Sequence, residues 1–211
     1  MTTGTSRHGT HEARREHINA LRAAKVQQER RRRRRIRFAS LGATVAVIAL
    51  VVVMALTSRQ ESSSVMRVAP DFTLTDTSGA RVSLAALRGK NVLLYFSEGA
   101  GCQSCLVQMA QIEKDPGIAA AGLTVLPIVM NTRDQITADM AANDVRTPFL
   151  LDDGTVSNAY GTLGKGMHDG LPGHSFVLID KAGNQRWYGE YPSMFLSPTD
   201  LLKEVRAHLT A

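Results

Sequence analysis

The sequence predicts an α/β layered fold with a mixed sheet flanked by helices, preceded by one N-terminal transmembrane helix. Three observations carry this. Short apolar runs rich in Val, Ile and Leu alternate with helical patterns from residue 68 onward. Strand-like pairs joined by Gly turns lie at both ends of that series, which sets antiparallel hairpins beside crossover-linked strands. Ahead of them stands an uncharged run of nineteen residues, Phe38 to Leu56.

Residues 1–37 are a basic tail. They hold twelve Lys and Arg against three Asp and Glu, a net of +9 in a chain whose total is +6, so residues 38–211 carry −3. The basic character therefore belongs to the tail and not to the rest. Residues 1–10 are polar and patternless and read as disordered, and residues 11–35 read as a polar helix. The run Arg30 to Arg35 has the charge to neutralise phosphates, but no aromatic residue interleaves with it to stack on bases. Nucleic acid is not the expected partner.

The apolar run explains the arginines. At about 1.5 Å per residue, Phe38 to Leu56 comes close to a bilayer core of roughly 30 Å. The arginines flank its N-terminal side only, so residues 38–57 are expected to span a cell membrane once, with the N-terminus cytoplasmic and the remainder outside. A cleaved signal peptide is the competing reading. The run exceeds the usual apolar region of such a peptide, and no Ala-x-Ala site closes it. Residues 58–67 are polar and Ser-rich and read as a flexible linker.

Residues 68–211 form the globular domain. Phe72 to Leu74 and Arg81 to Leu84 alternate around Ser78-Gly79 as a hairpin. Asn91 to Ser97 and Leu123 to Met130 are central strands. A helix is expected over Gln103 to Lys114, stopped by Asp115-Pro116-Gly117, and another over Asp134 to Asn143. Phe149 to Leu151 is a short strand. Ser175 to Asp180 and Gln185 to Glu190 pair across Gly183-Asn184, and Ser197-Pro198-Thr199-Asp200 opens a last helix.

The chemistry concentrates between Tyr95 and Met109, which holds both cysteines, Cys102 and Cys105. A strand leads into a Gly-rich turn and a helix leads out. The first cysteine then sits at a helix N-terminus, where unpaired N–H groups and the dipole favour an anion and so a thiolate. The second lies one turn further on the same face, within reach of a disulfide. Cys102 reads as the attacking thiol and Cys105 as the resolving one. Two blander readings compete. A zinc site needs a second ligand pair, and no other cysteine exists. A structural disulfide would close so small a loop that it would stabilise little.

Ala69-Pro70-Asp71-Phe72-Thr73-Leu74, then Leu87-Arg88-Gly89-Lys90, the apolar strand and the Cys-x-x-Cys pair together resemble the thioredoxin-like redoxins. That superfamily spans membrane-tethered thiol-disulfide oxidoreductases of the TlpA and ResA type and peroxiredoxins of the AhpC/TSA type. Pro148 to Gly154 and Phe176 to Asp180 agree with it, and the likeness covers about residues 68 to 211. It implies a thioredoxin-like mixed sheet. It further implies dithiol–disulfide exchange with protein thiols, a membrane electron donor of the CcdA type, and substrates such as apocytochrome c or other exported proteins. No cofactor and no resident metal are implied.

Three other residues are candidates beside the pair. Glu98, four before Cys102, is placed to pass protons to the thiols, or is a plain loop carboxylate. The resemblance implies a cis-proline facing the cysteines, and Pro172 is the candidate. Counting back from Asp180, however, that register falls nearer His174, which would titrate near neutral pH beside the thiols. Residues Gly161 to Gly173 read as a mobile loop next to the site.

Two rival functions follow from the same resemblance. A peroxiredoxin-type peroxidase of the pattern Pro-x-x-x-Thr/Ser-x-x-Cys would need proline at Tyr95 and a hydroxyl at Gly99, and both are missing. A Sco-like copper-binding module would use the two thiolates with His168 or His174, but that family separates its cysteines by three residues rather than two.

Overall fold

The computed structural model describes residues 47–49, 51, 52 and 61–209. The basic tail, most of the expected membrane span and the start of the linker lie outside the described residues. Val47, Ile48, Ala49, Val51 and Val52 are helical. Among the described residues no helix is long and apolar enough to cross a membrane.

Eight strands form one mixed sheet: β1 Glu61–Val68, β2 Thr73–Asp76, β3 Arg81–Ser83, β4 Asn91–Phe96, β5 Leu123–Val129, β6 Leu150–Leu151, β7 Ser175–Ile179 and β8 Asn184–Glu190. Their order across the sheet is β1-β8-β7-β4-β5-β6-β2-β3. The pairs β4–β5 and β5–β6 are parallel, and the remaining pairs are antiparallel. The parallel strands need crossovers, which helices supply. α1 Gln103–Lys114 and α2 Pro116–Ala120 carry the chain from β4 to β5, and α3 Arg133–Ala142 carries it from β5 to β6; α4 Thr155–Ala159 follows β6, and α5 Pro198–Leu209 follows β8.

The central strand is apolar throughout because both faces of the sheet are covered. Successive side chains of β4 point to opposite faces. Leu93 and Tyr95 join Leu106 and Met109 of α1, Ile136 of α3 and Leu201 of α5 in one core cluster. Val92, Leu94 and Phe96 join Phe72, Val156 of α4 and Tyr160 in the other. Burying chains of this size contributes about 1.5–3 kcal/mol each.

Three local features depart from the sequence reading. The expected linker over 58–67 is corrected: from Glu61 onward it is strand β1, paired antiparallel with β8, Glu61 opposite Glu190 and Val68 opposite Asn184. The cause lies in the partner. The outer edge of β8 presents unpaired backbone groups, and a polar segment satisfies them with its own backbone. The Ser62 hydroxyl also accepts the Trp187 indole N–H at 2.8 Å. The stop at Asp115 ends α1 as expected, but α2 was not expected after it: the Asp115 carboxylate caps that helix by accepting the Ile118 N–H at 2.9 Å. The third is α4, whose start at Gly154 has no side chain to cap it; Asp152 and Asp153 just before it accept the N–H groups of Val156, Ser157 and Thr155 instead.

Candidate active site

The Gly-rich turn between β4 and α1 delivers the two cysteines. Gly99 and Gly101 both have positive φ, at 76° and 85°, which a residue with a Cβ rarely adopts. The turn is held from α3 and the end of β5. The Asn131 side chain accepts the Ala100 N–H at 2.8 Å, and Asp139 accepts the Gly101 N–H at 2.7 Å. Sequence reasoning missed both, because they act from more than thirty residues away and neither belongs to a local motif.

Cys102 is the N-cap of α1, and its sulfur accepts the Cys105 N–H at 3.3 Å. It is partly exposed, whereas Cys105 is 1% exposed among Leu106, Met109 and Tyr95. The two form a disulfide, with 5.3 Å between their Cα atoms. Cys102 thus stands at the helix start, and Cys105 is shielded one turn in and bonded to it. A helix N-terminus beside Cys102 favours its thiolate when the bond is reduced.

His174 is 4% exposed, and its Nδ1 lies 4.0 Å from Cys105 Sγ and 3.3 Å from the Tyr95 hydroxyl. Burial pushes the imidazole down to about 4 from its ordinary 6.5, because charging it there forfeits hydration. Burial likewise pushes the Tyr95 phenol far up, so it stays a neutral hydroxyl.

The position that faces the cysteines is thus His174, and the assignment of Pro172 to it is corrected. Pro172 bridges Leu163, and no peptide bond among the described residues is cis. The Gly173 N–H is taken by Thr162 and the His174 carbonyl by Tyr191 N–H, so the chain enters β7 at His174.

Glu98 is buried at 3% exposure, and the hydrogen bonds to its carboxylate come from the Gly-rich loop. Oε1 accepts the N–H groups of Met167 and His168, and Oε2 lies 2.6 Å from His168 Nδ1. The carboxylate is therefore an anchor for the loop expected to be mobile. His168 and His174 are consequently separate in role, one on Glu98 and the other on Cys105. Among the described residues no group of three or more His, Cys, Asp and Glu is set to hold a metal ion.

A cavity of about 220 Å³ is lined by Glu98, Lys165, Met167, His174, Tyr191 and Met194, and reaches the cysteine pair through His174. A larger one of about 490 Å³, walled by Phe72, Leu74, Leu151 and Tyr160 among others, brings no thiol or imidazole into its lining. The chemistry lies with the smaller cavity.

Comparison with known proteins fits this geometry. A Mycobacterium tuberculosis protein bearing a peroxiredoxin name is 34% identical over 99 residues, 46% of this chain and 63% of that protein. The chain thus spans less than two thirds of that relative. The thiol-disulfide oxidoreductase ResA of Bacillus cereus is 26% identical over 129 residues, 60% of this chain and 69% of ResA. The reduced 2-Cys peroxiredoxin of Plasmodium vivax superposes with a TM-score of 0.61 at 20% identity, over 70% of this chain and 98% of that one, which speaks for the fold. The AhpC/TSA family profile matches residues 65–188, more than half of the chain, from within β1 through the cysteine pair into β8, and the chain belongs to that family of thioredoxin-like redoxins.

Proposed function

We propose that the protein is a thiol-disulfide oxidoreductase that cycles Cys102 and Cys105 between dithiol and disulfide with protein partners. The observation that carries this is the asymmetry of the pair: Cys102 is reachable at the start of α1, and Cys105 is buried one turn in and already bonded to it. In the reducing direction the Cys102 thiolate attacks a partner disulfide, and one partner sulfur leaves as a thiolate. Cys105 then attacks Cys102 Sγ and expels the other. The likeness to ResA, named a thiol-disulfide oxidoreductase, supports the reading.

A peroxidase is the second reading, favoured by the family itself and by the name of the mycobacterial relative. The turn argues against it. The place of the hydroxyl in the peroxidase pattern is Gly99, where an added Cβ would stand 2.0 Å from Asn131 Oδ1 and 2.7 Å from Val129. The place of its proline is Tyr95, buried inside β4.

The apolar run at 38–57 and its flanking arginines support a single-pass membrane anchor with the redox domain outside the cytoplasm. Exported proteins, apocytochrome c among them, would be the substrates there, with a membrane donor of the CcdA type. A phosphatase fused after Ala211 tests the topology: it should be active, and an inactive fusion would reverse the orientation. Cys105→Ser tests the chemistry. It should hold partner proteins in mixed disulfides that reductant releases, while Cys102→Ser should hold few. Equal trapping by both, or by neither, removes the assignment.

A further inference from the structure

Cys105 presents a difficulty that Cys102 does not. To resolve a mixed disulfide it must ionise, and burial opposes that. The answer lies in what faces it. His174 is the polar side chain against its sulfur, at 4.0 Å. The titratable groups around the imidazole are Tyr95 from β4, Cys105 from α1, Glu98 from the turn after β4, Lys165 from the Gly-rich loop and Tyr191 after β8. Tyr95 and Cys105 stand at bonding distance of Nδ1.

The shorter of the two Tyr95 contacts selects the tautomer on which the proposal stands. The Tyr95 hydroxyl donates its one proton to the Cys105 carbonyl at 3.1 Å. Its oxygen then faces His174 Nδ1 as an acceptor at 3.3 Å, so Nδ1 carries the imidazole hydrogen. Nε2 keeps a lone pair, buried and without a hydrogen-bond partner among the described residues. The ring is set edge-on between Tyr95, at 5.0 Å, and Phe176, at 5.7 Å, with Nδ1 within reach of both the Tyr95 hydroxyl and Cys105 Sγ.

We propose that His174 ionises the resolving thiol: as a neutral imidazole it donates Nδ1–H to Cys105 Sγ and stabilises the thiolate that attacks Cys102. This rests on the oxidoreductase reading and names the residue that sets its second step. In that step the Cys105 thiol gives its proton to the medium, and its thiolate forms a bond to Cys102 Sγ. The bond from Cys102 to the partner sulfur breaks, and that sulfur leaves with the electron pair and takes up a proton. The partner is reduced and the pair is oxidised. A thiolate is a stronger acceptor than a phenol oxygen, so the N–H moves from Tyr95 to sulfur as the charge forms. Burial keeps the ring neutral, with its pKa about 4, and so the same donor serves across neutral pH.

The test uses the full chain. In a Cys102→Ser background the ultraviolet absorbance of the remaining thiolate is followed against pH. Adding His174→Phe should raise the Cys105 midpoint by about one to two pH units, the worth of one hydrogen bond to a charged group. His174→Asn places an amide where Nδ1 stood and should hold the midpoint within about half a unit. A midpoint that Phe leaves in place, or that Phe and Asn raise equally, overturns the proposal. In the chain with both cysteines, an aromatic disulfide reagent releases one chromophore on attack by Cys102 and a second on resolution by Cys105. His174→Phe should slow the second release about tenfold or more and leave the first within about twofold. Absence of the first release from the unaltered chain would sink the oxidoreductase reading and leave the titration standing. Nitrogen NMR of the unaltered reduced chain needs no variant: hydrogen on Nδ1 supports the proposal, and hydrogen on Nε2 overturns it.

Discussion

Oε2 of Glu98 lies 2.6 Å from Nδ1 of His168, and so joins a carboxylate buried in the turn before the cysteines to a histidine whose side chain is 75% exposed. The same carboxylate takes the backbone N–H groups of Met167 and His168. Three bonds thus pin the Gly-rich loop, whose Lys165 and Met167 line the same cavity as Glu98 and His174. Glu98→Ala removes both acceptor oxygens, and so all three bonds, at once. It should speed hydrogen exchange at Met167 and His168 by tenfold or more and lower stability by about 2–3 kcal/mol. Unchanged exchange at these two amides would show that the loop is held by something else.

Gly99 sets a second expectation. Its φ of 76° and the Asn131 oxygen at 2.0 Å from a built Cβ leave no room for a side chain. Gly99→Thr would install the hydroxyl of the peroxidase pattern, but it must push Asn131 off the Ala100 N–H. The variant should lose about 3 kcal/mol or more and gain no peroxidase activity. The unaltered chain should consume hydrogen peroxide little faster than a free thiol. Rapid, Cys102-dependent turnover by either protein would promote the peroxidase reading.

What the sequence made legible was what repeats along the chain. The helix over Gln103 to Lys114 was readable in both limits, because the turn before it and Asp115-Pro116 after it are local signals. The strands β4 and β7 were readable because burial on both faces writes itself as an unbroken apolar run. Strand β1 was not, since its pairing depends on the edge of β8 and its first four residues, Glu61 to Ser64, are polar. The register of His174 followed from counting back from Asp180, whereas Pro172 drew attention only as a proline. Glu98 was visible as a candidate but not its partner, because His168 comes to it across seventy residues. Asn131, Asp139 and Gln108 were invisible for the same reason.

Gln108 illustrates the energetics of that last group. It is fully buried in α1, and its amide both donates to the Leu196 carbonyl at 2.9 Å and accepts the Leu196 N–H at 2.7 Å. The bonds tie the segment after β8 to the cysteine helix. Gln108→Leu keeps the bulk and strips both partners, leaving a buried N–H and C=O unmet. A loss of about 2–4 kcal/mol is expected in denaturant unfolding, with the disulfide still forming. A loss below about 1 kcal/mol would mean that water replaces the amide.

His174 gives the fold a pH dependence of fixed sign. Its imidazole is held down to about 4 in the folded chain, against 6.5 when unfolded. Between these values the unfolded chain binds a proton that the folded chain refuses, so stability rises with pH there. The full stability is present above 6.5 and is progressively lost as pH falls to about 4, a total of about 3 kcal/mol. Asp76 and Glu113 act lower down. Burial raises both carboxyls, but hydrogen bonds outweigh it, from Ser78 and Ala80 in the first and from Thr147 and Arg146 in the second, so both sit below their ordinary values. Their contribution is lost only below those values. His174→Phe removes the imidazole and leaves the carboxylates, so its stability should fall less than that of the unaltered chain between pH 6.5 and 4.5. Denaturant midpoints for both proteins at those two pH values measure the difference. Parallel losses in the two proteins would place the titrating group elsewhere.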